Sequence, residues 1–323
     1  MDVADLKNVL IVGMSGGLAK ITAGLLVKHY PQISIIGIDP RESPQIIKHP
    51  SVIFQKMRYS RGNFEKLFRN NQFDLIIHLG RMSHASANPK AQLAERLDLN
   101  LMGTRLILDL SIKYHCKKVI ILSTYHVYGA LADNPAFLNE ESPLRASIRH
   151  PELHDVVEMD QIATNWMWKN QHAIETLVMR PCSIVGPQIK NAITRYLTTP
   201  YAPLAIDYNP MFQFIHEFDM ANLLVHSITN FPTGVYNIAP DEVISIRAAK
   251  KLVGKPVLSL PLFLVHPMAT MINHTLRSIP DYLIDYLKFS LLLDNQQIKS
   301  RLPEDFFRFS TRDALALLKS LEW

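Results

Sequence analysis

The sequence predicts a doubly wound parallel α/β sheet with a smaller C-terminal substrate lobe, on three observations. Short, β-branched runs without in/out alternation recur through the first half: "NVLIVG", "ISIIGID", "SVIFQKM", "DLIIHLG", "KVIILST" and "TLVMRP". Such runs read as strands buried on both faces. Amphipathic stretches such as "LAKITAGLLVKHY" and "LNLMGTRLILDLSIKYH" lie between them, and strand–helix alternation argues for a parallel sheet covered on both sides. A glycine turn joins the first strand to the first helix. With right-handed crossovers, such a sheet gathers ligands at the carboxyl ends of its strands.

In order along the chain, "VLIVGMSGGLAK" comes first. Gly13 permits a tight turn, Gly16 lets the backbone approach a pyrophosphate at the helix N-terminus, and Ala19 serves close helix–strand packing. Gly17 adds flexibility where a bulkier residue would be usual. Gly13, Ser15, Gly16, Gly17 and Leu18 form the expected cofactor-binding turn. The second strand ends in Asp39, whose carboxylate can accept hydrogen bonds from the adenosine ribose hydroxyls and would repel a 2′-phosphate. That favours NAD, while Arg41 nearby keeps NADP open. The bland alternative is a plain turn with a capping aspartate. After Pro181 the rhythm breaks: prolines cluster in "TTPYAPLAIDYNP", then come "GVYNIAP" and a mostly helical tail. The expected division gives residues 1–180 and about 213–240 to the nucleotide domain, and about 181–212 and 241–323 to the smaller lobe.

The bulk numbers fit this plan. A chain of 323 residues, 48% hydrophobic and 20% charged, is an ordinary globular protein with room for two lobes. Its net charge of +5 suits anionic ligands, but the dispersed Lys and Arg do not suggest a nucleic-acid partner. Two cysteines, Cys116 and Cys182, make no disulfide framework and point to a reducing, cytoplasmic setting. The N-terminal apolar run has no basic region before it and leads into glycines, so it reads as a strand, not a signal peptide. "PVLSLPLFLVHPMATMI", Pro256 to Ile272, is interrupted by Pro261, His266 and Pro267 and is short of the roughly 20 clean residues of a membrane span. It reads as a packed contact, with weak membrane or lipid attachment as the alternative.

Further motifs carry a resemblance. "DLIIHLG", "NLMGTRLILDL", "LSTYHVYG", "RPCSIVGP", "QFIHEFDMA" and "GVYNIAP" follow one another in the order of the extended short-chain dehydrogenase/reductases of the NAD-dependent epimerase/dehydratase type, and the chain resembles that family nearly end to end. The resemblance implies a Rossmann domain and adds Leu79, Gly80, Asn100, Ser123, Pro181 and Cys182 to the cofactor site. It also implies a mechanism: hydride passes to the nicotinamide while a tyrosine, aided by a lysine four residues on and by a Ser or Thr, takes the proton. Thr124 occupies the Ser/Thr position.

The tyrosine and lysine are absent. The expected slots fall at Glu152 and Val156 in "ELHDVVEMD", and no tyrosine or lysine lies between Gly129 and Met167. Tyr114 and Lys118 match the spacing but sit on the helix end before the fifth strand. His126, His154 and Glu152 are the candidate substitutes, each with a bland reading as a loop or helix-start residue. Tyr125 and His126 also replace the Asp and Glu that family dehydratases use to expel water, and Ser183 stands where sugar-nucleotide epimerases often have Asn. Cys182 lacks an activating partner and reads as packing. Lys56 and Met57 stand where the family offers an aspartate to the adenine.

Three functions remain: an oxidoreductase with an unorthodox acid/base and an unknown small-molecule substrate, a dinucleotide-binding protein without turnover, and a lipid-associated relative acting on an apolar ligand. The resemblance further implies a homodimer through the helices at about Asn100–His115 and Val156–Lys169, the second exposing candidates among Trp166, Met167 and Trp168.

Overall fold

A computed structural model describes residues 6–42, 49–80, 97–265 and 282–320. Seven strands form one all-parallel sheet. They are β1 (Asn8–Val12), β2 (Ser34–Asp39), β3 (Val52–Lys56), β4 (Leu75–His78), β5 (Lys118–Leu122), β6 (Glu175–Pro181) and β11 (Gly234–Ile238), in the order β11-β6-β5-β4-β1-β2-β3. The strand order reverses beside β1, which puts a crevice at the carboxyl ends of β1 and β4.

Both faces of this sheet are covered, which is why its strands show no polar alternation. Val9 and Ile11 point into one apolar core and Leu10 and Val12 into another. The first core receives helix α1 (Gly17–His29) through Leu18, Ala23 and Leu26, and α5 (Glu217–Asn230) through Ala221, Leu224 and Ile228. The second receives α2 (Arg61–Asn70), α3 (Thr104–Lys113) and α4 (His154–Asn170) through residues such as Phe64, Leu108 and Met167. At the sheet edge, β3 departs from the expected fully buried run: only Val52 is buried.

The remaining segments form three two-stranded sheets: β7 (Ser183–Val185) with β10 (Phe214–His216), β8 (Ala202–Ala205) with β13 (Val257–Leu260), and β9 (Met211–Phe212) with β12 (Ile244–Ser245). They share the α1-side core, as do Tyr282, Leu283 and Leu315 from the tail. Among the described residues of that tail the helices are short, such as Tyr282–Tyr286 and Thr311–Ala316.

A buried polar cluster fixes the sheet to α4. Arg180 of β6 donates from Nε and Nη2 to the Asp160 carboxylate at 2.9 and 2.6 Å, and from Nη1 to the Tyr128 hydroxyl and the Glu140 carbonyl at 2.8 and 2.9 Å. Ser123 donates to the same carboxylate, and Tyr128 donates to Asn237 of β11 at 2.8 Å. Arg180 and Asp160 are both buried. Replacing Asp160 with alanine strands the guanidinium, so Asp160→Ala is expected to lose about 3–5 kcal/mol in urea unfolding. A loss below about 1 kcal/mol would show that the cluster is not what holds α4.

Candidate functional site

The crevice at the strand ends is a cleft of about 640 Å³. Its floor comes from the ends of β1, β5 and β6: Gly13, Ser123–Thr124 and Pro181–Cys182. Gly13 has φ +89°, and a Cβ there would come within 2.6 Å of the Gly80 backbone. Position 13 therefore needs a glycine for β1 and β4 to end side by side. Gly16 precedes α1, whose first turn carries no acid and whose N-terminus faces the cleft through Gly16, Gly17 and Leu18.

Gly17 has a different role from the flexibility expected of it. A Cβ there would stand 2.3 Å from the Gln188 carbonyl oxygen. The loop after β7 lies directly on the start of α1, and only a glycine admits it. Glu217 holds that loop from beneath, accepting from the Gln188 N–H at 2.9 Å. Gly186 packs so closely on Glu217 that a side chain at 186 would overlap its carboxylate. Burial pushes the Glu217 carboxyl up to about 7, against the pull of the Gln188 and Ile189 N–H groups.

Asp39 is buried at the end of β2. Its oxygens accept from the Ser15 N–H at 3.1 Å, the Arg41 N–H at 2.9 Å and the Arg41 guanidinium twice at 3.0 Å. The carboxylate read as a ribose acceptor is therefore held by Arg41, whose side chain is 69% exposed. Lys56 is exposed and pairs with Glu42, and neither Lys56 nor Met57 reaches the cleft.

Of the residues singled out in the sequence, Gly13, Ser15, Gly16, Gly17, Leu18, Arg41, Leu79, Ser123, Thr124, His126, Pro181 and Cys182 line the cleft. Asp39 and Gly80 stand behind it. Asn100, in a π-helical turn before α3, donates to Asp155 at 2.6 Å and braces α4 without reaching the cleft wall. Glu152 and His154 are not brought to it. Glu152 lies near His150 Nδ1 at 3.5 Å, and His154 is 65% exposed and paired with Glu158. Leu153 and Val156 face the cleft in their place, so the wall where the tyrosine and lysine were expected is apolar. Burial pushes the Cys182 thiol far above its ordinary range, which fits packing and not nucleophilic attack.

Besides His126, which the sequence singled out, the cleft gathers Tyr125, Ser183 and Tyr282, which it did not name as site residues. The Tyr125 hydroxyl and Ser183 Oγ lie 2.8 Å apart, both lining the cleft. The His126 ring is half-buried beside Tyr125, Tyr286 and Tyr282, with centroids at 4.2, 4.9 and 5.5 Å. Tyr282, from the tail helix Tyr282–Tyr286, also lines the cleft. That helix is clamped by Asp285, which accepts from Arg149 and from His150 Nε2. Lys20, Arg41 and Lys190 reach the cleft, and no Asp or Glu side chain is among its described lining residues. The site favours an anionic ligand over the helix N-terminus and holds hydroxyl and imidazole groups able to orient or exchange protons. Lys190 follows the "VGP" turn closely enough to have been found from sequence, whereas Tyr282 has no local signal.

Comparison with known proteins agrees with this geometry. A family model described as the NAD dependent epimerase/dehydratase family matches residues 9–239. An uncharacterised protein of Mycobacterium tuberculosis is 23% identical over 199 residues, covering 61% of this chain and 52% of that protein. A dTDP-D-glucose 4,6-dehydratase of Dictyostelium discoideum is 26% identical over 270 residues, covering 77% and 62%. The chain thus spans about half to three-fifths of these relatives. Among solved structures, the UDP-glucose 4-epimerase of Thermotoga maritima superposes with TM-score 0.73 at 16% identity, covering 97% of each chain. The dTDP-glucose 4,6-dehydratase of Bacillus anthracis, solved in complex with NAD, gives 0.71 at 18% identity, covering 96% and 94%.

Because burial raises the Glu217 carboxyl, the folded protein holds that proton more tightly than the unfolded chain. Its contribution to stability is full below the ordinary glutamate range and is lost as pH rises toward about 7. Glu217→Gln should flatten the melting temperature across that window. An unchanged slope would mean that Glu217 does not carry the dependence.

Proposed function

The chain belongs to the NAD-dependent epimerase/dehydratase family, and from that premise we propose that it binds NAD in the cleft over the glycine turn. The observation that carries this reading is a glycine turn at the end of β1 whose helix N-terminus lines the cleft together with three cations and a carboxylate-free described lining. The pyrophosphate would lie at Gly16–Leu18, the adenosine ribose beside Asp39 and Arg41, and the nicotinamide toward Ser123, Thr124, Pro181 and Cys182. Asp39 favours NAD once Arg41 is displaced, and Arg41 itself suits a 2′-phosphate. The nucleotide domain in this reading is residues 1–180 with about 213–240, and the smaller lobe supplies Tyr282 and Lys190.

Binding is the primary function we assign, because Glu152 and Val156 stand in the tyrosine and lysine slots and the cleft wall there is lined by Leu153 and Val156. A second reading, turnover with a non-standard acid/base, is favoured by the convergence of Thr124, Tyr125, His126 and Tyr282 on one cleft. In that reading Thr124 and the Tyr125–Ser183 pair orient a substrate hydroxyl, and His126 exchanges its proton. The relatives and neighbours suggest a sugar nucleotide as substrate.

Calorimetric titration of cofactor-stripped protein with NAD⁺, NADH, NADP⁺ and NADPH tests the assignment. Micromolar binding of NAD⁺ or NADH is expected, and Arg41→Ala should preserve it while weakening any NADPH binding roughly tenfold or more. Absence of binding by all four would end the reading. Reduction of bound NAD⁺ by a sugar-nucleotide panel, lost in His126→Gln with cofactor affinity retained, would select turnover; no redox change would leave binding alone.

The exposed Met102 and Trp168, 65% and 52% accessible, flank the α3 and α4 faces. We propose this face for a homodimer. Light scattering should show a dimer that Met102→Lys with Trp168→Glu converts to monomer, and a wild-type monomer would remove the proposal.

A further inference from the structure

The strand pair β8–β13 carries a second feature, away from the cleft. Its registered residues run from Ala202 opposite Val257 to Ala205 opposite Leu260. All four β8 residues are buried, while Val257 and Ser259 of β13 are exposed. Beyond each end of the pair, backbone bonds hold further apolar residues close. The Tyr201 N–H donates to the Pro256 carbonyl and the Ile206 N–H to the Leu260 carbonyl, at 2.8 and 2.9 Å. The turn that follows is pinned by the Leu262 N–H on Asp207 and the Leu264 N–H on Pro261.

The result is a cluster of exposed apolar side chains: Phe263 at 74%, Tyr201 at 65%, Ile206 at 54%, and Leu264 and Val257 at 38% each. Isolated exposed apolar residues need no explanation, but five joined by one strand pair do. Among the described residues, β13 has no strand on its outer edge. Exposed edges are commonly protected by charge or cover.

Cations stand near the two ends of the strand pair, one of them on the β8 side. Lys255 directly precedes Pro256 at one end, and at the other the Arg247 guanidinium donates to the Ala205 carbonyl at 3.0 Å. The Lys319 side chain lies over Gly254. No Asp or Glu occurs in the sequence between Glu242 and Asp281. Asp207 is the acid the described contacts place here, and one of its oxygens is engaged by the Leu262 N–H.

Exposed apolar side chains with cations near both ends of their strand pair match a surface with anionic headgroups over an apolar layer. A second copy fits worse, because a two-fold contact would set Arg247 and Lys255 near their own equivalents. Among the described residues no helix is long and apolar enough to cross a membrane, so contact would be peripheral. We propose that the β8–β13 edge, with Phe263 and Leu264 as anchors and Lys255 and Arg247 as headgroup contacts, docks this protein onto an anionic phospholipid surface.

Co-sedimentation with vesicles of equal parts phosphatidylcholine and phosphatidylglycerol tests this, with phosphatidylcholine vesicles as control. The full chain should pellet with the anionic vesicles, release at high salt, and ignore the neutral ones. Phe263→Ser with Leu264→Ser should weaken the partition about tenfold or more, and Lys255→Glu about fivefold. Thermal unfolding of each variant reports whether it is folded, and the separate Lys255→Glu variant keeps the test decisive should the double change not fold. Failure of the wild type to pellet, or equal pelleting by folded variants, would overturn the proposal. So would self-association in solution that the double variant abolishes, since that would assign the edge to a second copy.

Discussion

The arrangement of the cleft depends on the buried pairing of Arg180 with Asp160. Its two partners come from the strand that ends at Pro181 and from the helix that carries Val156. Burying two charges is costly, and the cost is met here because both partners are richly hydrogen-bonded. The carboxylate takes Ser123 and Thr164 besides the guanidinium, and the guanidinium takes Tyr128 and the Glu140 carbonyl. Ser123 sets where β5 delivers Thr124, and Tyr128 closes the turn that carries His126. By contrast, a surface pair such as Arg61 with Glu65, whose arginine is 82% exposed, is screened by solvent and contributes little. One ion pair therefore organises the site, and the exposed ones tune solubility.

The parts legible in the sequence are those whose physics is local. Six apolar runs became six sheet strands, five of them because burial on both faces leaves an unbroken apolar run in the sequence; β3, at the sheet edge, is the exception. The glycine turn was legible because a tight turn and close backbone approach exclude side chains. Long-range partners were not legible. Gly17 looked like added flexibility because its reason is the Gln188 carbonyl, far along the chain. Asp39 looked free for a ribose, yet Arg41 closes on it in a geometry that spacing alone does not fix. Helix phase decided the candidate bases: Glu152 and His154 sit beside Leu153 and Val156 in sequence but are turned away from the cleft that those two line.

The polar stretch that replaces the usual tyrosine and lysine is not idle. Arg149 and His150 hold Asp285, and Glu152 lies beside His150. Through that contact the tail helix is seated against the segment before α4, and Tyr282 reaches the cleft. A segment that elsewhere in the family supplies catalysis here supplies an anchorage. The phenol in the cleft comes from another part of the chain, with an imidazole nearby and no lysine in the former slot.

The contact between Gly17 and the Gln188 carbonyl has a consequence for how this protein can change. A bulkier residue at position 17 would displace the loop, and the loop is tied through its N–H to Glu217, which packs in turn against Gly186. Three positions in separate segments are thus mechanically linked. None can be altered freely while the other two stay as they are, so a return to a larger side chain at the helix entrance calls for coordinated replacements. Because the atom met at position 17 is backbone, no change of rotamer relieves the collision, and the helix entrance, the loop and Glu217 behave as one unit.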